Sequence, residues 1–145
     1  MHPIDILKSD HMKISDLFER LLDSPLASER DEIFEHLRQE LDDHMRAEET
    51  LVYPLLTDVA GFEDTIEMAI DDHQEMKDLL ADIQNSHEGE ETEDLIDELF
   101  ECFEDHISEE ESVIYPRTIE VLSLAEMHDL DMKLTDFRGE ISQAA

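Results

Sequence analysis

Glycine and proline are scarce in this chain, at three and four of 145 residues, and cysteine occurs once. So few punctuating residues disfavour a turn-rich β protein. Gly61, Gly89 and Gly139 divide the sequence into long uninterrupted segments. A lone Cys102 forms no internal disulfide. No apolar run approaches the ~20 residues of a membrane span. The opening Met1-His2-Pro3-Ile4-Asp5 has neither a basic stretch nor an apolar one, so no secretory signal is read and a cytoplasmic location is expected. Basic residues are also few. Ten Lys and Arg stand against 42 Asp and Glu, a formal charge of −32. Nucleic acid and anionic membrane both reward Lys and Arg, so neither is expected as a partner. The acidity reads as a heavily solvated face; adaptation to high salt, where screening relieves self-repulsion, is the sharper alternative. No Gly-rich phosphate loop, Ser-His-Asp set or EF-hand spacing is present.

What remains is a chain of 40% apolar residues, long enough for one domain with a proper core. One domain over 1–145 is expected, with no linker. A first helix is predicted over 4–22, with Ile4, Leu7, His11, Ile14, Phe18 and Leu21 alternating at three and four, the seam of a packed helix. Asp23-Ser24-Pro25 ends it. A second begins near Ser28 with the seam Phe34, Leu37, Leu41, His44, Glu48, Leu51 and Leu55, and Pro54 near its end is expected to bend the axis. A third, from about Glu63, carries Ile66, Ala69, His73, Met76, Leu80 and Ile83. After a polar loop, Asn85 to Glu91, a fourth from about Glu93 carries Ile96, Leu99, Phe103, His106, Glu110 and Val113, with Pro116 repeating Pro54. Ser123 to Glu126 is a capping-box pattern opening a short fifth helix, about 123–138, with Met127, Leu130, Leu134 and Phe137; it extends to Ile141 unless Gly139 ends it early. Short loops make neighbours antiparallel. The expected class is all-α: an up-down-up-down four-helix bundle over 4–120, plus the fifth helix.

The bundle is built from a repeat. Asp10-His11 recurs as Asp72-His73, His44 with Glu48 as His106 with Glu110, and Tyr53-Pro54 as Tyr115-Pro116, all at one offset of 62 residues. Two helical hairpins related by a pseudo-two-fold axis account for this. Each of the four helices then has one His on its apolar seam, and the second and fourth add a Glu one turn later. Residues i and i+4 share a helix face, so all six side chains point inward. One layer of the bundle thus collects His11, His44, Glu48, His73, His106 and Glu110. A buried unpaired carboxylate costs several kcal/mol, against a total domain stability of about 5–15 kcal/mol. Something must neutralise the two Glu. Mutual His–Glu pairing would do so in part; a pair of divalent or trivalent cations would do so more completely and use every ligand type supplied.

This order of His11, His44-x-x-x-Glu48, His73 and His106-x-x-x-Glu110 resembles the hemerythrin-like, or HHE cation-binding, family. The opening Ile6-Leu7-Lys8-Ser9-Asp10-His11 and the run Glu48-Glu49-Thr50-Leu51-Val52-Tyr53-Pro54 are similar to it as well. The likeness spans residues 4 to about 120. The Glu-x-x-His pattern of ferritin-like di-iron proteins is absent. The resemblance implies two iron ions in an oxo- or hydroxo-bridged non-haem centre, with Glu48 and Glu110 bridging and the four His as terminal ligands. It also implies a small-molecule ligand: O2, NO or peroxide. Oxygen-carrying hemerythrins have a fifth His one turn after the third-helix ligand. Lys77 stands there instead, which leaves an open position and moves the expectation from reversible oxygen carriage to sensing or redox chemistry.

Other residues are placed around this set. Tyr53 and Tyr115 are expected to pack at the bundle end with their hydroxyls in water; the alternative is a hydrogen bond to bound ligand, or direct ligation of iron. Glu49, Glu109 and Glu111 read as solvated face. Asp10 and Asp72 either take imidazole N–H groups or lie on the surface. His2, His36, His87 and His128 are peripheral, and Cys102, beside Glu101 and Glu104, reads as a packing residue. An apolar pocket is expected from Leu7, Ile14, Leu41, Leu51, Phe103 and Val113. The leading function is a di-iron protein that binds, senses or reacts with the small ligand. The alternatives are peroxide or NO turnover, iron storage or delivery including repair of iron centres, and a helical module whose fifth helix docks a partner or second copy. On this reading His106→Ala lowers iron content more than His36→Ala does; equal losses, measured by metal analysis of the purified variants, would refute the ligand choice.

Overall fold

The computed structural model describes residues 2–24, 27–59, 61–86 and 89–144 (side chains for 2–24, 28–59, 61–86 and 89–139). Pro25, His87 and the side chain of Ile141 lie outside these. Helix α1 runs Pro3–Asp23, α2 Ala27–Ala47, α3 Tyr53–Leu56, α4 Glu63–Asn85, α5 Glu90–Glu109, α6 Tyr115–Val121 and α7 Leu124–Ala144. Turns of π-helix, Glu48–Val52 and Glu110–Ile114, join α2 to α3 and α5 to α6, so the second and fourth long helices are continuous but bent. Among the described residues there is no strand, and no helix is long and apolar enough to cross a membrane.

The helices begin where local chemistry favours it. Pro3 opens α1, where its missing N–H costs nothing, and His2 Nδ1 accepts the Ile4 N–H. α5 starts three residues earlier than expected, directly after Gly89 at φ +150°, with Glu90, Glu91 and Glu93 against the positive end of its dipole. Ser123 and Glu126 form the reciprocal capping box, each side chain taking the other's backbone N–H. α7 then passes through Gly139 to Ala144, longer than the sequence suggests. An interior helical glycine costs only about 1 kcal/mol relative to alanine.

α1 pairs with α2 and α4 with α5, and α7 lies over α1, α2 and the first π turn. The buried face of α7, Met127, Leu130 and Leu134, packs on this bundle. Two apolar clusters result. One, at the end of the bundle holding the α1–α2 and α4–α5 connections, is built on Phe18, Leu37, Leu41, Leu80, Leu99 and Phe103. The other includes Leu7, Val52, Leu56, Ile66, Ile114 and the α7 residues. The buried His and Glu side chains belong to neither, and form a separate polar set.

The π turns correct the predicted seam. Pro54 and Pro116 have no N–H to bond one α-turn back. In each helix the preceding Tyr instead reaches five residues back, Tyr53 N–H to Glu48 O and Tyr115 N–H to Glu110 O. The extra residue advances everything beyond Glu48 and Glu110 by one position. Val52, Tyr53 and Leu56 are buried where Leu51 and Leu55 were expected, and Ile114 and Tyr115 where Val113 was. Leu51 is only half-buried, and Leu55 and Val113 are 39% and 38% exposed, so the expected apolar pocket loses Leu51 and Val113. The register has a direct test by urea unfolding. Ile114→Ala is expected to cost about 2–5 kcal/mol, and the adjacent Val113→Ala no more than about 0.5 kcal/mol.

Candidate metal centre

The six inward residues of the sequence pattern meet in one buried layer. His11, His44, His73 and His106 are at most 4% exposed, and Glu48 and Glu110 are fully buried. Their ligand atoms form two groups. His11, His44, Glu48 and Glu110 make one, His73, His106, Glu48 and Glu110 the other, with all atoms of each group within 4.8 Å of one another. Both glutamates are shared. The α-helical i, i+4 spacing sets His44 Nε2 3.1 Å from Glu48 Oε1 and His106 Nε2 3.3 Å from Glu110 Oε1. Across the hairpins, His11 Nε2 and His44 Nε2 are 3.1 Å apart, and His73 Nε2 and His106 Nε2 3.0 Å.

The tyrosines enter the same layer, contrary to the expectation of hydroxyls in water. Each π turn brings the Tyr five residues after its Glu onto the inner face. Tyr53 donates its hydroxyl to Glu110 Oε2 at 2.7 Å and lies 3.3 Å from His73 Nε2. Tyr115 donates to Glu48 Oε2 at 2.8 Å and lies 3.1 Å from His11 Nε2. Each thus serves the glutamate of the opposite repeat, and its ring stacks on an imidazole, Tyr115 on His11 and Tyr53 on His73. The sequence signal was the Tyr-Pro pair itself: a proline just past a seam residue marks where the helical period breaks.

Outside this layer stand four carboxylates. Asp10 Oδ2 is 2.9 Å from His44 Nδ1, Asp72 Oδ2 3.2 Å from His106 Nδ1, Glu111 Oε2 2.9 Å from His11 Nδ1, and Glu49 Oε2 3.5 Å from His73 Nδ1. Glu49 and Glu111 therefore turn toward imidazoles, where straight-helix spacing put them on the solvated face; Glu109 is exposed. Lys77 pairs with Glu49 at 3.1 Å. His36 is exposed beside Glu40, His2 caps α1, and His128 is exposed. Cys102 is half-buried, and burial together with Glu75 and Glu98 pushes its thiol up to about 11, which disfavours the reactive thiolate.

The donor set fits cations. A carboxylate at Nδ1 holds that proton outward and turns the Nε2 lone pair inward, and here all four Nε2 atoms face the two shared glutamates. Without metal, protons must do the neutralising. Burial opposes charge on His44, but Glu48, Asp10 and Glu110 outweigh it and raise its pKa to about 10. His106 rises to about 9 against the same burial, through Glu110, Glu48 and Asp72. Burial would raise Glu48, yet His44 and its other bonds hold it well below the carboxylate range. Burial, then the two glutamates, push both tyrosines well above 10, so they remain donors.

A helical bundle with a buried His and Glu cluster of this kind is a cation-binding protein by its donor chemistry. The comparisons with known proteins agree. Residues 2–118 match the model of the hemerythrin HHE cation binding domain, and the chain belongs to that family. A crystal structure of a hemerythrin HHE cation binding domain-containing protein from Mycobacterium kansasii superposes with a TM-score of 0.81 at 26% identity, over 97% of this chain and 89% of that one. A protein of Nostoc sp. described as a DNA nickase is 33% identical over 112 residues. That match takes in 77% of this chain, which spans about a third (32%) of the length of the relative.

The raised imidazoles have a pH signature in the metal-free protein. His44 and His106 sit above their unfolded value of 6.5, so their contribution to stability is complete below about pH 6.5 and is lost as pH rises through about 9 to 10. Glu48 acts oppositely, contributing above pH 4.5 and losing that contribution as pH falls through its depressed value. The urea midpoint of the metal-free protein is expected to fall steadily between pH 6.5 and 10; a flat profile there would contradict the pairing.

Proposed function

We propose that the chain is a non-haem di-iron protein that binds, senses or reacts with O2, NO or peroxide. The observation that carries this is the pair of donor groups sharing Glu48 and Glu110. Each group offers two imidazoles, and both would share the Glu48 and Glu110 carboxylates. Bound iron would supply the electrons and the open positions that such ligands require. The protein's own residues do the rest. His11, His44, His73 and His106 would hold the metals through Nε2, and Glu111, Asp10 and Asp72 fix the ring tautomers of His11, His44 and His106. Tyr53 and Tyr115 reach the layer from inside and hold a proton at Oη, either toward the carboxylates or toward a small ligand. The apolar clusters exclude bulk water, which strengthens every charge interaction in the layer.

Lys77 sharpens the preference over simple oxygen carriage, because its ammonium pairs with Glu49 and adds no metal ligand. Iron storage is less favoured, since all six proposed ligands are at most 4% exposed and offer no ready exit. DNA cleavage, suggested by the name of the Nostoc relative, is opposed by a charge of −32, which repels a polyanion.

Purified protein is expected to hold about two irons per chain, as a site with two metals demands. Zinc alone, or no metal, would overturn the proposal. Optical spectra under O2, NO and peroxide then separate its branches. A near-ultraviolet and visible charge-transfer band that bleaches reversibly on deoxygenation marks O2 binding. Rapid gas evolution from peroxide, lost in Glu48→Ala, marks an enzyme.

A further inference from the structure

The outer carboxylates follow the 62-residue repeat, Glu49 matching Glu111 and Asp10 matching Asp72, but their geometry does not. In the His11–His44 half both imidazole–carboxylate distances are 2.9 Å. In the His73–His106 half they are 3.5 and 3.2 Å. The Asp10 side chain is 4% exposed, that of Asp72 47%. Two cationic side chains engage these carboxylates, and among the described residues neither has a counterpart across the pseudo-two-fold axis.

The first is Arg138 of α7, whose guanidinium pairs with Asp10 Oδ2. α7 lies beyond the stretch that the family model matches, and it packs mainly on α1, α2 and the first π turn. Beside Arg138, the Phe137 ring lies 5.6 Å from the Arg46 guanidinium of α2. The second is Lys77. It holds Glu49 Oε2 at 3.1 Å, and His73 Nδ1, farther from the same oxygen, has no hydrogen-bond partner. Position 15, which corresponds to Lys77 in the other repeat, is Ser15, so nothing competes with His11 for Glu111 in this way.

We propose that these two cations make the halves of the metal site unequal, with α7 as the positioning element: Arg138 holds Asp10, Asp10 holds His44, and the His11–His44 half takes up the first cation. This rests on the reading of the cluster as a two-cation site. A ligand whose orientation is already fixed gives up less freedom on binding, and outer partners of metal-bound His typically change affinity by about 10–100-fold.

The test is titration of the metal-free full chain with Zn²⁺, a diamagnetic ion that imidazole and carboxylate accept, followed by long-range ¹H–¹⁵N spectra of the imidazoles. In the wild type, His11 and His44 are expected to move with the first equivalent and His73 and His106 with the second. Arg138→Met is expected to weaken the first step about tenfold, and Arg138→Met combined with Lys77→Met to abolish that order; Arg138→Lys restores part of the affinity, and Arg117→Met, which removes a partly exposed arginine paired with Glu120, changes nothing. Asp10→Asn, which keeps the side-chain volume, gives the same loss and serves if Arg138→Met fails to fold. Halves that fill together or in the opposite order in the wild type, a first step that Arg138→Met leaves unchanged, or an order that survives the double variant would overturn the inference while leaving the two-cation reading intact. Imidazoles that ignore Zn²⁺ altogether would overturn both.

Discussion

Two glutamates with no solvent exposure, in the middle of an apolar helical bundle, set the terms for the rest of this structure. Burying one such charge unpaired costs several kcal/mol, and Glu48 and Glu110 are neighbours. The surroundings are arranged to offset that cost. Four imidazoles and two tyrosine hydroxyls lie within hydrogen-bonding reach of the carboxylate oxygens, and three further carboxylates, Glu111, Asp10 and Asp72, take the outer nitrogens of His11, His44 and His106. In the absence of metal the layer is a proton-sharing network; its donor types and convergence are those of a cation site. The chemistry that makes the layer costly to bury makes it apt for a charged cofactor.

The helical irregularities belong to the same constraint. A regular helix would point Leu51 and Leu55 inward after Glu48 and turn Tyr53 aside. The π turn before each proline reverses this, and gives each glutamate a tyrosine donor from the other repeat. One inserted residue per helix thus converts an apolar seam into a functional one, at a place where proline had already removed a backbone donor.

Duplication supplies two equal halves, and the remainder of the chain makes them different. α7 closes one flank and leaves Asp72 open on the other. Lys77 engages one outer glutamate, while Ser15 stands at the matching position.

Much of this was legible from residue order alone. Three-four spacing located the four long helices, and the repeat located His11, His44, Glu48, His73, His106 and Glu110 on their inner faces, because a helical seam is a local property carried by side-chain period. The capping box at Ser123 was equally local. Spacing failed where the helix ceased to be regular: beyond Glu48 and Glu110 the predicted seam was one residue out, so Tyr53 and Tyr115 were placed in water and Leu51 and Val113 in the core. It also failed for contacts between distant segments. That Glu111 reaches His11, that Lys77 draws on Glu49, and that Arg138 closes over Asp10 depend on which helices lie side by side. The sequence by itself determined the class of the fold and the chemistry of its central layer, since both are written in periodic positions. Only the tertiary structure decided how that layer is completed and which half is covered, since those depend on distances between residues as far apart as Asp10 and Arg138.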